Sequence, residues 1–317
     1  MNVSNIMGNP TFSRVEQLYG VEIEVENGYN CGWTDNSDWN RVEDGSLRND
    51  GMEFITPPAT MRHVGAMSRE FYEQYEDNNY VANVRTGIHV HADMRWRTLE
   101  QVASIVALYC VLEPLLFEMC GPDREECIYC VPWYRAPDDA DLLREMRDMG
   151  EWRDVHYKLE QSCKYSALYL EPLRRLGTIE FRQAPTFESH RDLMRWVNAI
   201  DKLVTLGTYF GSVERVVKEA ERDPTRMVEF VLPHLDVEYA LNIIEECDSI
   251  GVAHRLVRTR KPVSWRHELG EELEQSGVYY QHAGGQRDPG LLRIEDDPFE
   301  EIREDGEWDE DYDEEDY

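Results

Sequence analysis

A chain of 317 residues, 41% of them hydrophobic and 31% charged, has enough apolar material for one large or two small domains, which excludes a disulfide-stapled mini-protein. Its 64 acidic residues against 33 basic ones give a formal net charge of -31, so naked nucleic acid is not an expected partner for the surface as a whole. Seven scattered cysteines fit reduced thiols in a cytoplasmic protein better than a disulfide framework.

Residues 1–19 read as an N-terminal extension without the basic-then-apolar pattern of an export signal. In Val21-Glu22-Ile23-Glu24-Val25 the side-chain period of two sets both glutamates on one face of a strand and the aliphatics on the other. Residues 27–43, rich in Gly, Asn, Asp and Trp, read as a long loop; its Trp33 and Trp39 either close over a substrate or anchor the loop. Asp44-Gly45-Ser46-Leu47, a turn at Asn49-Asp50-Gly51 and the run Met52–Thr56 predict a hairpin that offers Asp44 and Glu53. Ile88-His89-Val90-His91-Ala92 repeats the alternating device with two histidines.

From Thr98 to Cys120 apolar residues recur every three or four positions, with Thr98 and Gln101 as a capping box and Gly121-Pro122 as a stop, which predicts a helix. Its uncharged core, Gln101 to Leu112, is short for a membrane span, and no membrane is expected. Cys127 and Cys130 form a CxxC with Cys120 nearby, but no second pair completes four zinc ligands. Helix is predicted over 138–160, 189–206 and most of 212–247, and a strand over Ile179-Glu180-Phe181-Arg182. The basic stretch Arg255, Arg258, Arg260, Lys261 and Arg266 is either a flap over phosphates or a strip docked on the chain's own acids. The last 23 residues, 295–317, hold 15 acids and one base and read as a disordered tail, a solvating extension or a hook for a basic protein partner.

If these strands share a sheet, one face gathers Glu22, Glu24, Glu53, Glu180 and two histidines, and the crowding of like charge calls for cations. Carboxylate-rich sites with an imidazole or two suit Mg2+ or Mn2+. A single alternating strand of this kind is ordinarily a solvated sheet face; three with different polar chemistry are harder to dismiss as one.

In this order, GVEIEVE, DGS with GMEFITPP, GIHVHAD and KYSALYLEPLRRLGTIEFRQAPT resemble the predicted amidoligases often found in phages, which are similar to glutamine synthetase and glutamate-cysteine ligase. The resemblance implies an α+β fold: a curved antiparallel sheet with two or three Mg2+ (or Mn2+) ions and ATP on its concave face and helices outside. It also implies an ATP-dependent carboxylate-amine ligase, in which a substrate carboxylate becomes an acyl phosphate that an amine attacks. The substrates would be a small-molecule or peptide carboxylate and an amine acceptor, met in the cytoplasm, the host's if the chain is phage-encoded.

Carried over by residue, Glu22, Glu24, Glu53, His89 and Glu180 resemble metal ligands, Glu180 on the nucleotide side, and Arg182 resembles the guanidinium that steadies the transferring phosphoryl group. Asp44 would act near the amine, and Lys164 would contact phosphate or lie on the surface. His91, Arg85 and Thr186 would touch substrate or support a ligand. Leu168-Tyr169 and Pro185-Thr186 depart from the family's Leu-Asn and Gly-Thr steps, around the substrate and nucleotide region. The organisation expected is a catalytic core over 20–206, a mainly helical remainder of the same domain over 207–294, and the tail. Two alternatives stand beside the ligase: a metal-dependent phosphoesterase or nuclease, and a non-catalytic acidic binder acting through its tail.

Overall fold

The computed structural model of the protein describes residues 2–7, 16–27, 38–45, 47–75, 80–136, 138–149 and 151–257. The chain runs α1 (Val3–Ile6), β1 (Tyr19–Val25), β2 (Asn40–Glu43), β3 (Met52–Ile55), α2 (Met61–Tyr75), β4 (Gly87–Asp93) and α3 (Leu99–Cys120). It continues through α4 (Pro122–Glu125), α5 (Asp138–Arg147), α6 (Trp152–Leu159), β5 (Leu168–Tyr169), α7 (Pro172–Arg175) and β6 (Thr178–Pro185). Five helices close it: α8 (His190–Phe210), α9 (Val213–Arg222), α10 (Thr225–Val231), α11 (Val237–Glu246) and α12 (Ser249–His254). The class is α+β, as the strand pattern and the resemblance together imply.

The strands form one open antiparallel sheet in the order β2-β3-β1-β4-β6-β5. Alternation sorts its two faces. Val21, Ile23, Phe54, Ile88, Val90, Ile179 and Phe181 are fully buried on one of them. Against that face lies α3, whose Tyr109 ring meets Phe181 edge-on at 5.8 Å. The capping box forms as read, with Gln101 N donating to Thr98 Oγ1 at 3.1 Å and Thr98 N to Gln101 Oε1 at 3.0 Å. By length and composition α3 could cross a membrane. It is instead the central core helix, enclosed by β6, α8, α9, α11 and α12.

Ser189 caps α8, accepting from Asp192 N at 3.2 Å, and α8 crosses α3 where Gly207 lets the backbones nearly touch. The helix predicted over 138–160 divides into α5 and α6, and that over 212–247 into α9, α10 and α11, because Asp223-Pro224 and Pro233 interrupt the ladder. The first arm of the predicted hairpin is corrected. It lies at 40–43 rather than 44–47, so Asp44 follows the edge strand instead of sitting in it, and part of the expected 27–43 loop is strand.

At the N-terminus Val3 and Ile6 are fully buried, and Val3 N donates to Arg97 O at 2.9 Å. Trp39 anchors in the core, its indole donating to Met67 O at 2.9 Å and its ring packed on Phe71. Arg255 pairs with Asp141. Trp33, the rest of the basic stretch and the acidic tail lie outside the described residues.

Candidate metal centre

The polar face of the same sheet carries the acids. Its register sets Glu22 opposite His89, Glu24 opposite Glu53, and His91 opposite Glu180, so three neighbouring strand pairs each place polar partners side by side. The two oxygens of Glu22 point to different imidazoles, Oε1 lying 3.1 Å from His91 Nε2 and Oε2 3.2 Å from His89 Nδ1. His89 Nδ1 is also 3.4 Å from Glu180 Oε1, and His91 Nε2 is 3.8 Å from Glu180 Oε2. Glu180 in turn pairs with Arg182, whose guanidinium sits 6.0 Å from the centroid of the Tyr169 ring.

A β-bulge shapes this corner. Between β4 and β6 the step from Val90 to Ile88 is matched by the longer step from Phe181 to Ala184. Of the two residues inside the bulge, Arg182 turns to Glu180 and Gln183 turns into the core, donating to Tyr109 Oη at 3.2 Å.

The electrostatics follow from burying so many acids together. Burial, the charges of Glu22, Glu24 and Asp44, and a hydrogen bond with Glu22 push the Glu53 carboxyl up to about 9. Glu24 also rises, through burial and the Asp44 charge, against the pull of His89 and Arg182. Glu22 goes the other way: burial opposes ionisation, but hydrogen bonds from His89 and His91 hold its carboxyl well below the usual range. Burial alone would lower His91, yet its contact with Glu22 and the charge of Glu180 raise it. The mixture is a shared one, in which protons stand where cations would otherwise neutralise carboxylates.

Two groupings have the geometry to hold an ion: Glu22, Glu53 and His89, and Glu22, His91 and Glu180, each with three ligand atoms within 4.8 Å of one another. Glu22 belongs to both, through a different oxygen toward each histidine. Carboxylate oxygens with one imidazole nitrogen suit hard divalent ions, and the ring nitrogens of His89 and His91 lie 3.2 and 3.1 Å from the Glu22 oxygens, where a cation would take the place of a shared proton. The residues therefore fit Mg2+ or Mn2+. Glu24 stands outside both groupings, accepting from Gly87 N at 2.9 Å and lying 3.8 Å from His89 Nε2.

Asp44 is near enough to raise both Glu24 and Glu53, which places it at the β3 end of the basin. The other expected contacts have structural partners. Arg85 pairs with Glu26 at 2.6 Å, Thr186 Oγ1 donates to Glu24 O at 2.7 Å, and the exposed Lys164 lies 5.0 Å from the Tyr165 ring centroid. Thr186 thus braces β1 from behind the ligands.

One supporting residue escapes sequence reading. The buried guanidinium of Arg124 donates to Gln183 O at 2.9 Å, Arg182 O at 3.1 Å, Thr86 O at 3.3 Å and Val84 O at 3.4 Å, tying the bulge of β6 to the start of β4. Gly87 makes room, since a Cβ there would lie 3.1 Å from Arg124 Nη2 and 3.2 Å from Ala184 O. Only that glycine, just ahead of the two histidines, is a signal in the sequence.

A family model described as "putative amidoligase enzyme" matches residues 5–204, which span all six strands and every acid and base of the basin. No curated protein matches the chain.

Proposed function

The chain belongs to the amidoligase family, and on that premise we propose that it is an ATP-dependent ligase joining a carboxylate to an amine in an amide or isopeptide bond, on a glutamine synthetase-like sheet face. The observation that carries the reading is the pair of three-ligand groupings sharing Glu22, set beside the half-buried Arg182. Bound Mg2+ or Mn2+ and ATP would supply charge neutralisation and the phosphoryl group that activates the carboxylate.

The chain's own residues divide the remaining work by position. Glu22, Glu53 and His89 would hold one ion and Glu22, His91 and Glu180 the other, with the groups spaced by the sheet rather than by flexible loops. Arg182, fixed by Glu180 and by the bulge, offers a guanidinium to anionic oxygens at the β6 end. At the β3 end Asp44, which belongs to neither three-ligand grouping, provides the acidic side suited to an incoming amine. The basin is thereby polarised, with anion recognition at one end and amine recognition at the other. The substrates are a small-molecule or peptide carboxylate and an amine acceptor.

The test is incubation with ATP, Mg2+ and a panel of amino acids and peptides, following ADP and phosphate release and the mass of the condensed product. Glu180→Ala is expected to lower turnover at least ~100-fold with an unchanged circular dichroism spectrum, since it removes a ligand and the partner of Arg182. Absence of ATP binding with every divalent ion, or full activity in that variant, refutes the reading; phosphodiester cleavage without ATP would replace it with the hydrolytic alternative.

A further inference from the structure

We propose that Cys127 and Cys130 form a thiol–disulfide exchange site that accepts small-molecule disulfides such as oxidised glutathione. The pair lies outside the basin, after α4, and nothing in the ligase reading uses it. Cys130 N donates to Cys127 O at 3.3 Å, so one tight turn carries both thiols on a CxxC. Cys127 is partly exposed and Cys130 is fully buried behind it, its thiol donating to Arg124 O at 3.3 Å. That asymmetry separates an attacking thiol from a resolving one.

Arg124 supplies the charge. Its Nη1 donates to Cys127 Sγ at 3.8 Å, and that thiol in turn donates to Val84 O at 3.4 Å, so a positive charge stands beside the sulfur when it ionises. Contact with the Cys130 thiol draws Cys127 down to about 6, against burial and with help from Arg124, while the same contact pushes Cys130 up. A metal knuckle is the competing use for such a pair. Among the described residues, however, the groupings with metal-holding geometry lie in the basin, and neither includes a cysteine.

The step balances without an unnamed partner. The Cys127 thiolate attacks one sulfur of the disulfide, whose S–S bond breaks and releases the first thiolate, which takes a proton. The Cys130 sulfur then attacks Cys127 Sγ and expels the second thiolate, which takes up the proton that the Cys130 thiol releases. Two electrons pass from the protein to the reagent, leaving one protein disulfide and two small thiols.

The experiment treats the reduced full-length protein with excess oxidised glutathione near neutral pH, blocks remaining thiols by alkylation, and reads intact mass and peptide map. The wild type is expected to lose two hydrogens in a Cys127–Cys130 link that dithiothreitol reverses. Cys130→Ser is expected to stop at one glutathionyl group on Cys127, and Cys127→Ser to leave Cys130 unmodified. The exposed Cys163 serves as the internal control. The proposal is overturned if Cys163 reacts while Cys127 and Cys130 stay fully alkylatable, or if the link maps to Cys120 and Cys130. Because the readout is mass, it stands or falls independently of ligase activity.

Discussion

Glu53 is the residue at which the basin's electrostatics can be tested. With its carboxyl pushed up to about 9, it is protonated at neutral pH in the metal-free protein, and an ion that binds it must displace that proton. The sign follows directly: raising pH removes the competitor, so Mg2+ or Mn2+ affinity should climb between about pH 6 and 9, approaching ~10-fold per unit for a single displaced proton. Calorimetry in buffers of different ionisation heat should register about one proton released per ion at this position. Glu53→Gln should weaken binding and flatten the slope; a slope unchanged in that variant would remove Glu53 from the ligand set. Such a role is legible in the sequence as far as direction goes, because a period of two sends Glu22, Glu24, His89, His91 and Glu180 to one face of their strands. What alternation cannot give is reach. That Glu22 faces two histidines while Glu24 turns to the Gly87 amide depends on the register between strands, which is a property of pairs.

Elements hold that register, and the corner of β6 shows how. From the core side, buried Glu113 of α3 accepts from Tyr109 Oη at 2.7 Å, and Tyr109 in turn accepts from Gln183 in the bulge; from the strand end, Arg124 gathers the bulge carbonyls. Arg124→Met should therefore cost at least ~3 kcal/mol in urea unfolding, since several buried acceptors lose a charged donor together. Arg124→Lys, which restores a charge but not the fork, should recover only part. Nothing in Pro122-Asp123-Arg124-Glu125 separates this arginine from a solvated one; its neighbours come from segments some 40 to 60 positions away. The α3–α8 crossing supplies a second test. A Cβ at Gly207 would fall 2.6 Å from Ile105 Cα, a backbone atom that cannot swing aside, while Ser104 Oγ donates to Gly207 O at 2.7 Å. Alanine gains at most ~1 kcal/mol of helix propensity, and overpacking against backbone costs ~1–3 kcal/mol. Gly207→Ala should lower the melting temperature, whereas an unchanged value would mean the helices slide apart without loss.

At the scale of the molecule, nearly half of the net charge is concentrated in the acidic tail. The family match ends at residue 204, and every described strand and helix lies ahead of residue 257, well before the acidic tail begins. Residues 295–317 carry -14 of the total -31, leaving -17 on the rest, and that excess raises a long-range barrier to any anionic substrate. Deleting the tail should leave turnover at saturating ATP within about twofold, because no residue of the basin is touched. It should also lower the apparent KM for ATP at low ionic strength, an effect that fades toward ~0.15 M salt, where the Debye length is about 8 Å. Steady-state kinetics of the full chain and of a chain ending at residue 294, compared across a salt series, measure both quantities. A loss of turnover on deletion would mean that the tail takes part in the reaction. A KM lowered equally at every salt concentration would place its acids in direct contact with the basin, since only distant charges are screened in this way.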